Sequence, residues 1–483
     1  MTRPLRWLWA RPAVVAALVA KVALTMPVIG RYGWHLDELY YAATARHLAW
    51  GYVDFPPVTP WIARLSVALW GNSLVGLRFL SLLSGLGVLV VVVLIVGELG
   101  GSRQAEVLAA VTVVASSFFL GANILFQPVP FDQLTSVLFL YAVTRLLVRQ
   151  APREWWWVGL TAGLALETKY TVVAIGAGVV IGLVVTPARS LLRGATPWLA
   201  GALALVIAAP NLVWQATNHW PTLEFLRHQN VSVRHDYTPV HYLWEMPIVV
   251  GPVVFVLCVI GARRLWRDQH LRALAIASVV VVVWYLVLGG KSYYPLTVFP
   301  ILMAAGVVEV ADRSLRRWTV ALAVGAAIAL VGTLPYLSAG QMASSHIYDL
   351  RSDYAYELGW PGVVRTVAGV YRSLPPDERR TAIVYTANYG EAGAIDMWGA
   401  RYGLPHPVSG HNTYWFWHPP DRPDATVVAV GFPASDLGAW FTDCRIAADL
   451  RDERGVPNME HGLHVHICRA RRPGIPVPVK HYG

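Results

Sequence analysis

The apolar residues of this chain come in blocks of roughly 17 to 25, the length an α-helix needs to cross the hydrocarbon core of a bilayer. Eleven such segments lie near 12–30, 74–97, 105–125, 131–148, 155–168, 170–186, 196–213, 246–261, 272–288, 295–310 and 318–337. Composition agrees: 55% of the 483 residues are hydrophobic and 14% charged, where a soluble domain carries about a quarter charged residues. The expected fold class is therefore an α-helical polytopic membrane protein with eleven transmembrane helices, followed by a small C-terminal α/β domain on the exoplasmic side.

The net charge of +10 could suggest nucleic acid, but its distribution excludes that partner. Arginines gather in short loops between alternate segments: Arg145, Arg149 and Arg153; Arg189 and Arg193; Arg263, Arg264, Arg267 and Arg272; Arg313, Arg316 and Arg317. Arg3, Arg6 and Arg11 add to the amino terminus. This positive-inside pattern puts the amino terminus and these loops in the cytoplasm. The segments flanking Lys169 are short, but basic loops on both sides require two crossings rather than one. The first segment lacks a small-x-small cleavage site and reads as an anchor rather than a signal peptide. Lys21 within it either faces a polar interior or, as the simpler reading has it, snorkels to the interface.

The cytoplasmic loops are short, so function is expected on the opposite face, in loop 31–72, loop 214–245 and the C-terminal segment. The stretch from Asp37 to Trp50 has helical character, with Gly51 and Pro56-Pro57 as breakers. Trp34, Tyr40, Tyr41, Trp50 and Trp61 suit a helix lying at the membrane interface. The second loop carries His219, His228, His235 and His241. Residues 1–338 read as a transmembrane module and 339–483 as a domain. In the latter, 381–386, 425–430 and 463–468 read as strands, with helices near 360–374 and 390–400. Cys444 and Cys468 fall in this segment, where a disulfide is compatible with an exported domain. The Tyr414-Trp415-Phe416-Trp417 cluster reads as core or interface.

Two adjacent carboxylates, Asp37 and Glu38, follow the first segment directly. They could cap a helix or serve as a general base for an attacking hydroxyl. Asp132 begins an otherwise apolar helix on the same face, again either a cap or a functional acid. Asp54, Lys169 and Lys291 stand on that face too, and Arg78 lies early in the second segment. Carboxylates beside cations can activate a hydroxyl and stabilise a departing phosphate. A divalent metal on carboxylates could share that second role, with Asp54 and a loop histidine such as His219 as candidate ligands. A transporter or lipid flippase is the main alternative. It would place charges near the midplane on broken helices, often with internal repeats, whereas these acids cluster at one face and no repeat is visible.

The runs Trp34-His35-Leu36-Asp37-Glu38-Leu39-Tyr40-Tyr41 and Asp54-Phe55-Pro56-Pro57-Val58-Thr59-Pro60-Trp61 resemble the first external loop of GT-C glycosyltransferases. The branch is that of protein O-mannosyltransferases, lipid A aminoarabinose transferases and bacterial galacturonosyltransferase-like proteins. Leu77-Arg78-Phe79-Leu80-Ser81, Phe131-Asp132, Leu166 to Thr171, Gly290 to Pro295, Ala387 to Gly393 and Ser409 to Asn412 extend the resemblance over almost the whole chain. It implies a GT-C fold in a bacterial plasma membrane and inverting transfer of a sugar from a polyprenyl-phosphate donor to an exoplasmic glycan, lipid or protein. It also implies Asp37 as base or metal-linked acid with Glu38 in support and Asp132 as second acid. Lys291 and Arg78 are then candidates for the donor phosphate, and Lys169, Tyr293 and Asp54 for substrate contact. In aminoarabinose transferases Glu-Lys precedes the Pro-Pro turn and an Arg follows the first Asp by three residues. Here Asp54-Phe55 and Tyr40 stand in those places, so an aminoarabinose donor is not implied.

Overall fold

The computed structural model describes residues 10–482 apart from 237, 347, 349, 350, 453–455 and 457. Arg3 and Arg6 lie outside the described residues, as does the side chain of His235. Each expected apolar segment coincides with helix. Leu74–Glu98, Pro128–Arg149, Thr196–Thr217 and Tyr294–Leu330 are long and apolar enough to cross a membrane. The total is up to 6 when two bent pairs are each taken as one span. Pro12–Thr25, Thr171–Val184 and Arg272–Leu288 are shorter apolar helices.

Several segments differ from the expected uniform rods. The one near 105–125 bends by 67° between Arg103–Ala115 and Ser117–Ile124. The one near 246–261 breaks at Gly251, where Pro239–Val250 meets Pro252–Arg267 at 105°. Gly251 takes φ 97 there, a left-handed conformation natural to glycine, and Pro252 has no N–H with which to continue the first helix. The last two segments lie within Phe299–Thr333, two helices that meet at a kink of non-helical backbone at Ser314, among the expected loop arginines. Two helices cross in close contact at Gly261 and Gly306, where a Cβ would stand 1.9 Å from the Leu302 oxygen or 2.0 Å from the Leu257 oxygen. Small residues at such crossings let backbones approach where lipid supplies no hydrophobic drive. Lys21 does not snorkel: it is fully buried, and its Nζ donates to the Phe119 carbonyl at 2.6 Å.

Beyond the membrane helices, five strands form one mixed sheet. They are β1 (Ile383–Thr386), β2 (Val408–Ser409), β3 (Val427–Val430), β4 (Phe441–Asp449) and β5 (His464–Arg471), in the order β2-β1-β3-β5-β4. β1 runs parallel to β2 and β3, and β5 is antiparallel to β3 and β4. Three strands match expected ones, while β2 and β4 were not anticipated. Cys444 and Cys468 pair across β4 and β5 in a disulfide. Helices Trp360–Ser373 and Tyr389–Trp398 flank the sheet near the expected positions. Within loop 214–245 the helix Pro221–Asp236 was not anticipated.

Loop 31–72 joins the two regions. Its first helix, Leu36–Thr44, ends earlier than the expected stretch to Trp50, and a second, Val58–Trp70, was not anticipated. It is buried rather than laid on a membrane surface: Leu36 and Leu39 join the sheet's apolar core, and Tyr40 and Tyr41 pack with Phe126, Ala392 and Tyr414. Gly393 permits this, since a Cβ there would sit 2.7 Å from the Leu39 carbonyl carbon. Trp50 and Trp61 remain exposed and pack on each other at 4.8 Å.

Candidate active site

The helix Leu36–Thr44 begins with a capping box that gives the two adjacent acids different environments. Asp37 N donates to His35 Nδ1 at 3.2 Å, and His35 N donates to Glu38 Oε2 at 2.9 Å. Glu38 is thus the capping acid. It is fully buried, and its Oε1 also accepts from Phe126 N at 2.8 Å. Arg78 meets Glu38 through Nε and Nη2, both at 2.7 Å, and Nη2 reaches Glu357 Oε2 at 3.0 Å. The Ile29, Arg31 and Gly33 carbonyls take the remaining Arg78 donors. All five guanidinium N–H groups are therefore engaged, and Arg78 is 1% exposed. These surroundings oppose the expected contact of Arg78 with a donor phosphate and the expected chemical role of Glu38.

Asp37 is not the cap. Its side chain keeps 29% exposure, and its Oδ1 accepts from the Tyr389 hydroxyl at 2.8 Å. Tyr389 opens the helix after β1, beyond a capping box on Asn388. Loop 410–412 follows β2. Both loops thus leave the carboxyl ends of parallel strands, where α/β sheets present their sites. The Tyr389 ring is stacked between Tyr40 at 4.5 Å and His411 at 4.6 Å, so its hydroxyl is held at a fixed distance from Asp37.

Asp54 joins the same assembly. Tyr40 donates from its hydroxyl to Asp54 Oδ1 at 2.9 Å, and Asn412 Nδ2 donates to Oδ2 at 3.2 Å. Burial pushes the Asp54 carboxyl up from 3.8 to about 7, against the Tyr40 hydrogen bond, which lowers it. The folded chain therefore retains a proton that the unfolded chain has lost across pH about 4 to 7. Stability from this group is present below that window and falls as pH rises through it. Thermal unfolding of the purified chain at pH 5 and pH 8 measures this. Asp54→Asn is expected to narrow the difference, and an unchanged difference counts against the assignment.

Asp132 is buried at the start of Pro128–Arg149, and its Oδ1 accepts from Ser136 Oγ at 3.1 Å and from the Thr171 hydroxyl. Its charge interacts with the Lys169 ammonium, which in turn feels Lys291. Lys169 Nζ lies over the Tyr294 ring at 4.9 Å and the Tyr293 ring at 5.8 Å. Tyr293 is in electrostatic reach of Asp37. Hydrogen bonds thus tie Asp37 to Tyr389 and Asp54 to Tyr40 and Asn412, and Tyr293, under the Lys169 ammonium, interacts electrostatically with Asp37.

Among the described residues no three His, Cys, Asp or Glu side chains are grouped to hold a metal. Both Asp54 oxygens are engaged by Tyr40 and Asn412, and His219 is exposed, so the candidate pair of Asp54 and His219 does not fit a metal. Tyr389, Asn412, Tyr294 and Thr171 were not anticipated as site residues, although all lie in motifs that stood out in the sequence. Of the cluster 414–417 only Tyr414 is buried: it packs with Tyr40 and Tyr41 of loop 31–72 and bonds Asp396 at 2.8 Å, while Phe416 is exposed.

Residues 54–214 match the family described as dolichyl-phosphate-mannose-protein mannosyltransferase. A curated relative, the lipid A galacturonosyltransferase RgtD of Rhizobium johnstonii, is 27% identical over 255 residues, 48% of this chain and 50% of that protein. The match therefore spans about half the length of that relative. Among solved structures, ArnT from Cupriavidus metallidurans bound to undecaprenyl phosphate is similar with TM-score 0.55 and 16% identity, covering 95% of this chain and 97% of that one. Its apo state gives TM-score 0.56 at the same identity and coverage. The chain is thus similar, in sequence over residues 54–214 and in fold over nearly its whole length, to GT-C glycosyltransferases of the mannosyltransferase, aminoarabinose transferase and galacturonosyltransferase branch.

Proposed function

We propose that this chain is an integral membrane glycosyltransferase that moves a sugar from a polyprenyl-phosphate donor to an exoplasmic glycan, lipid or protein. The observation that carries the reading is the partly exposed Asp37 carboxylate held by the Tyr389 hydroxyl, with Tyr293, which interacts electrostatically with Asp37, lying under the Lys169 ammonium. Asp37 takes the proton of the acceptor hydroxyl as that oxygen attacks the anomeric carbon. The bond from that carbon to phosphate breaks on the opposite face, inverting the configuration, and polyprenyl phosphate departs. Lys169 and Lys291 meet the charge that develops on the phosphate, Asp132 orients Lys169, and Tyr293 and Asp54 complete the wall.

A polyprenyl chain loses about 0.8 kcal/mol per CH₂ on leaving lipid, so the donor must be met where membrane helices end. The ArnT structure holds undecaprenyl phosphate, which supports a lipid phosphate as the group recognised here. In this reading residues 1–338 cross the membrane eleven times as the catalytic module and 339–483 form an exoplasmic α/β domain. The Cys444–Cys468 disulfide fits the oxidising side of a plasma membrane.

Two measurements test the proposal. Mass spectrometry of envelope glycans, glycolipids and glycoproteins should show loss of one defined sugar when the gene is deleted and its return on complementation. An unchanged envelope overturns the reading. In the purified chain, Lys291→Met should raise KM for a polyprenyl-phosphate donor about tenfold or more, the worth of one charged hydrogen bond. An unchanged donor KM removes Lys291 from the phosphate site.

A further inference from the structure

Two further acids, Glu391 and Glu460, are fully buried at the start of the helix that carries Tyr389, and the catalytic scheme above does not use them. Asn388 holds both. Its N–H donates to Glu391 Oε2 at 3.1 Å and its Nδ2 to Glu460 Oε1 at 3.4 Å, while its Oδ1 accepts from the Gly390 and Glu391 N–H groups at 2.7 and 2.9 Å. The two carboxyls are also in hydrogen-bond contact with each other. Gly431, just beyond β3, closes the site: its φ is +76, and a Cβ there would stand 1.7 Å from Glu391 Oε1.

Two ionised carboxylates have no donor to offer one another. Glu391 Oε1 and Glu460 Oε2 have no other hydrogen-bond partner, and among the described residues no cation pairs with either acid. The charged groups on the packed elements are engaged elsewhere or lie in water. Asp37 is bonded by Tyr389 and Glu38 by Arg78, and His464 pairs with Asp449. Arg365 and Arg372 of Trp360–Ser373 are exposed, as is His461 beside Glu460, and Asp452 lies beside Gly359. Burial raises both acids out of the usual carboxylate range. The Glu460 charge raises Glu391 further, while the hydrogen bond between them holds Glu460 lower. That asymmetry is the one expected when like charges cannot both ionise and one carboxyl donates to the other.

We propose that Glu391 and Glu460 share one proton and act as positioning residues for the catalytic base, holding the Asn388 cap so that the Tyr389 hydroxyl stays on Asp37. This rests on the glycosyltransferase reading only in taking Asp37 as the base. Asn388 directly precedes Tyr389, whose own N–H donates to His411 Nδ1 at 3.2 Å, so a displaced cap displaces the tyrosine. Without the proton, two charges stand in the interior with no counter-charge, a costly state. It is relieved by driving turn 458–462 away from Asn388. The stabilisation from this proton is present at acid pH and lost as pH rises through the pair's raised pKa.

Infrared spectroscopy on the purified full-length chain reads the proton directly. At pH 8, above Asp54 and Glu357, which burial brings to about 7, a carboxylic acid C=O band should persist. It should shift or vanish in each of Glu391→Gln and Glu460→Gln. In turnover, Glu460→Ala should lower kcat about tenfold, the worth of the one charged hydrogen bond from Tyr389, with donor KM unchanged. Glu460→Gln, which stands for the protonated partner, should restore what Glu460→Ala loses. Glu460→Asp withdraws the carboxyl without emptying the site and takes the place of Glu460→Ala if that chain does not fold. In a Tyr389→Phe background the same change should cost nothing further, because both act through one contact. A merely structural pair would instead add its cost to that of Tyr389→Phe. Additive costs, or a band that neither glutamine variant moves, overturn the proposal. A band that both variants move, in a folded chain that transfers no sugar, refutes the glycosyltransferase reading instead and leaves the shared proton standing.

Discussion

Asp37→Asn is expected to lower sugar transfer by about 10²–10⁴-fold, the contribution of a positioned general base. The fold should be untouched, because Asp37 neither caps its helix nor fills the core. The cap is made by the His35 ring and Glu38, and an asparagine oxygen can still accept from Tyr389. Donor KM should therefore hold while kcat falls, which is the signature of an interaction needed in the transition state and not in binding. Tyr389→Phe is the companion variant, since it removes one hydrogen bond and leaves the carboxylate. It should cost much less than Asp37→Asn. A folded Asp37→Asn protein with transfer within tenfold of the parent would exclude Asp37 as the base.

The membrane region was legible in sequence because lipid demands long apolar runs and paired backbone groups, which leaves few alternatives to helix. What composition does not encode is where a run bends. Gly251-Pro252 inside the segment near 246–261 was a visible break signal, yet hydropathy alone runs through it. In the sheet, β1 and β3 announced themselves as buried apolar runs. β4 did not: it is an edge strand with several exposed positions, so its polar residues hide its pairing. β2 has two residues, too few for any periodicity.

At the site, local pattern and long-range pairing separated cleanly. His35 to Glu38 was readable as helix start or as chemistry, and both are present, with Glu38 in the cap and Asp37 left partly exposed. Which acid did which depended on Arg78, 40 residues further on, and on Tyr389, 352 residues away. An arginine in an apolar helix looks the same in sequence whether it awaits a phosphate or a buried carboxylate. Only the fold brings Glu38 and Glu357 to it.

That distinction gives Arg78 the other large expected effect, on stability rather than on substrate. Arg78→Met leaves Glu38 and Glu357 buried without their cation, and breaking such a pair costs about 3–5 kcal/mol. Burial already pushes Glu357 up to about 7, with Arg78 pulling it down, so removing Arg78 strengthens the drive to protonate. The variant should accumulate poorly and melt at a markedly lower temperature in detergent, more so at pH 8 than at pH 6. Combining Arg78→Met with Glu38→Gln and Glu357→Gln removes the stranded charges and should recover part of the loss, since a neutral buried set avoids the desolvation of two carboxylates. A phosphate-binding Arg78 predicts the reverse: normal yield, normal melting and a raised donor KM. Melting curves at the two pH values, read beside donor KM, separate a scaffold that holds the catalytic helix in place from a contact with the substrate.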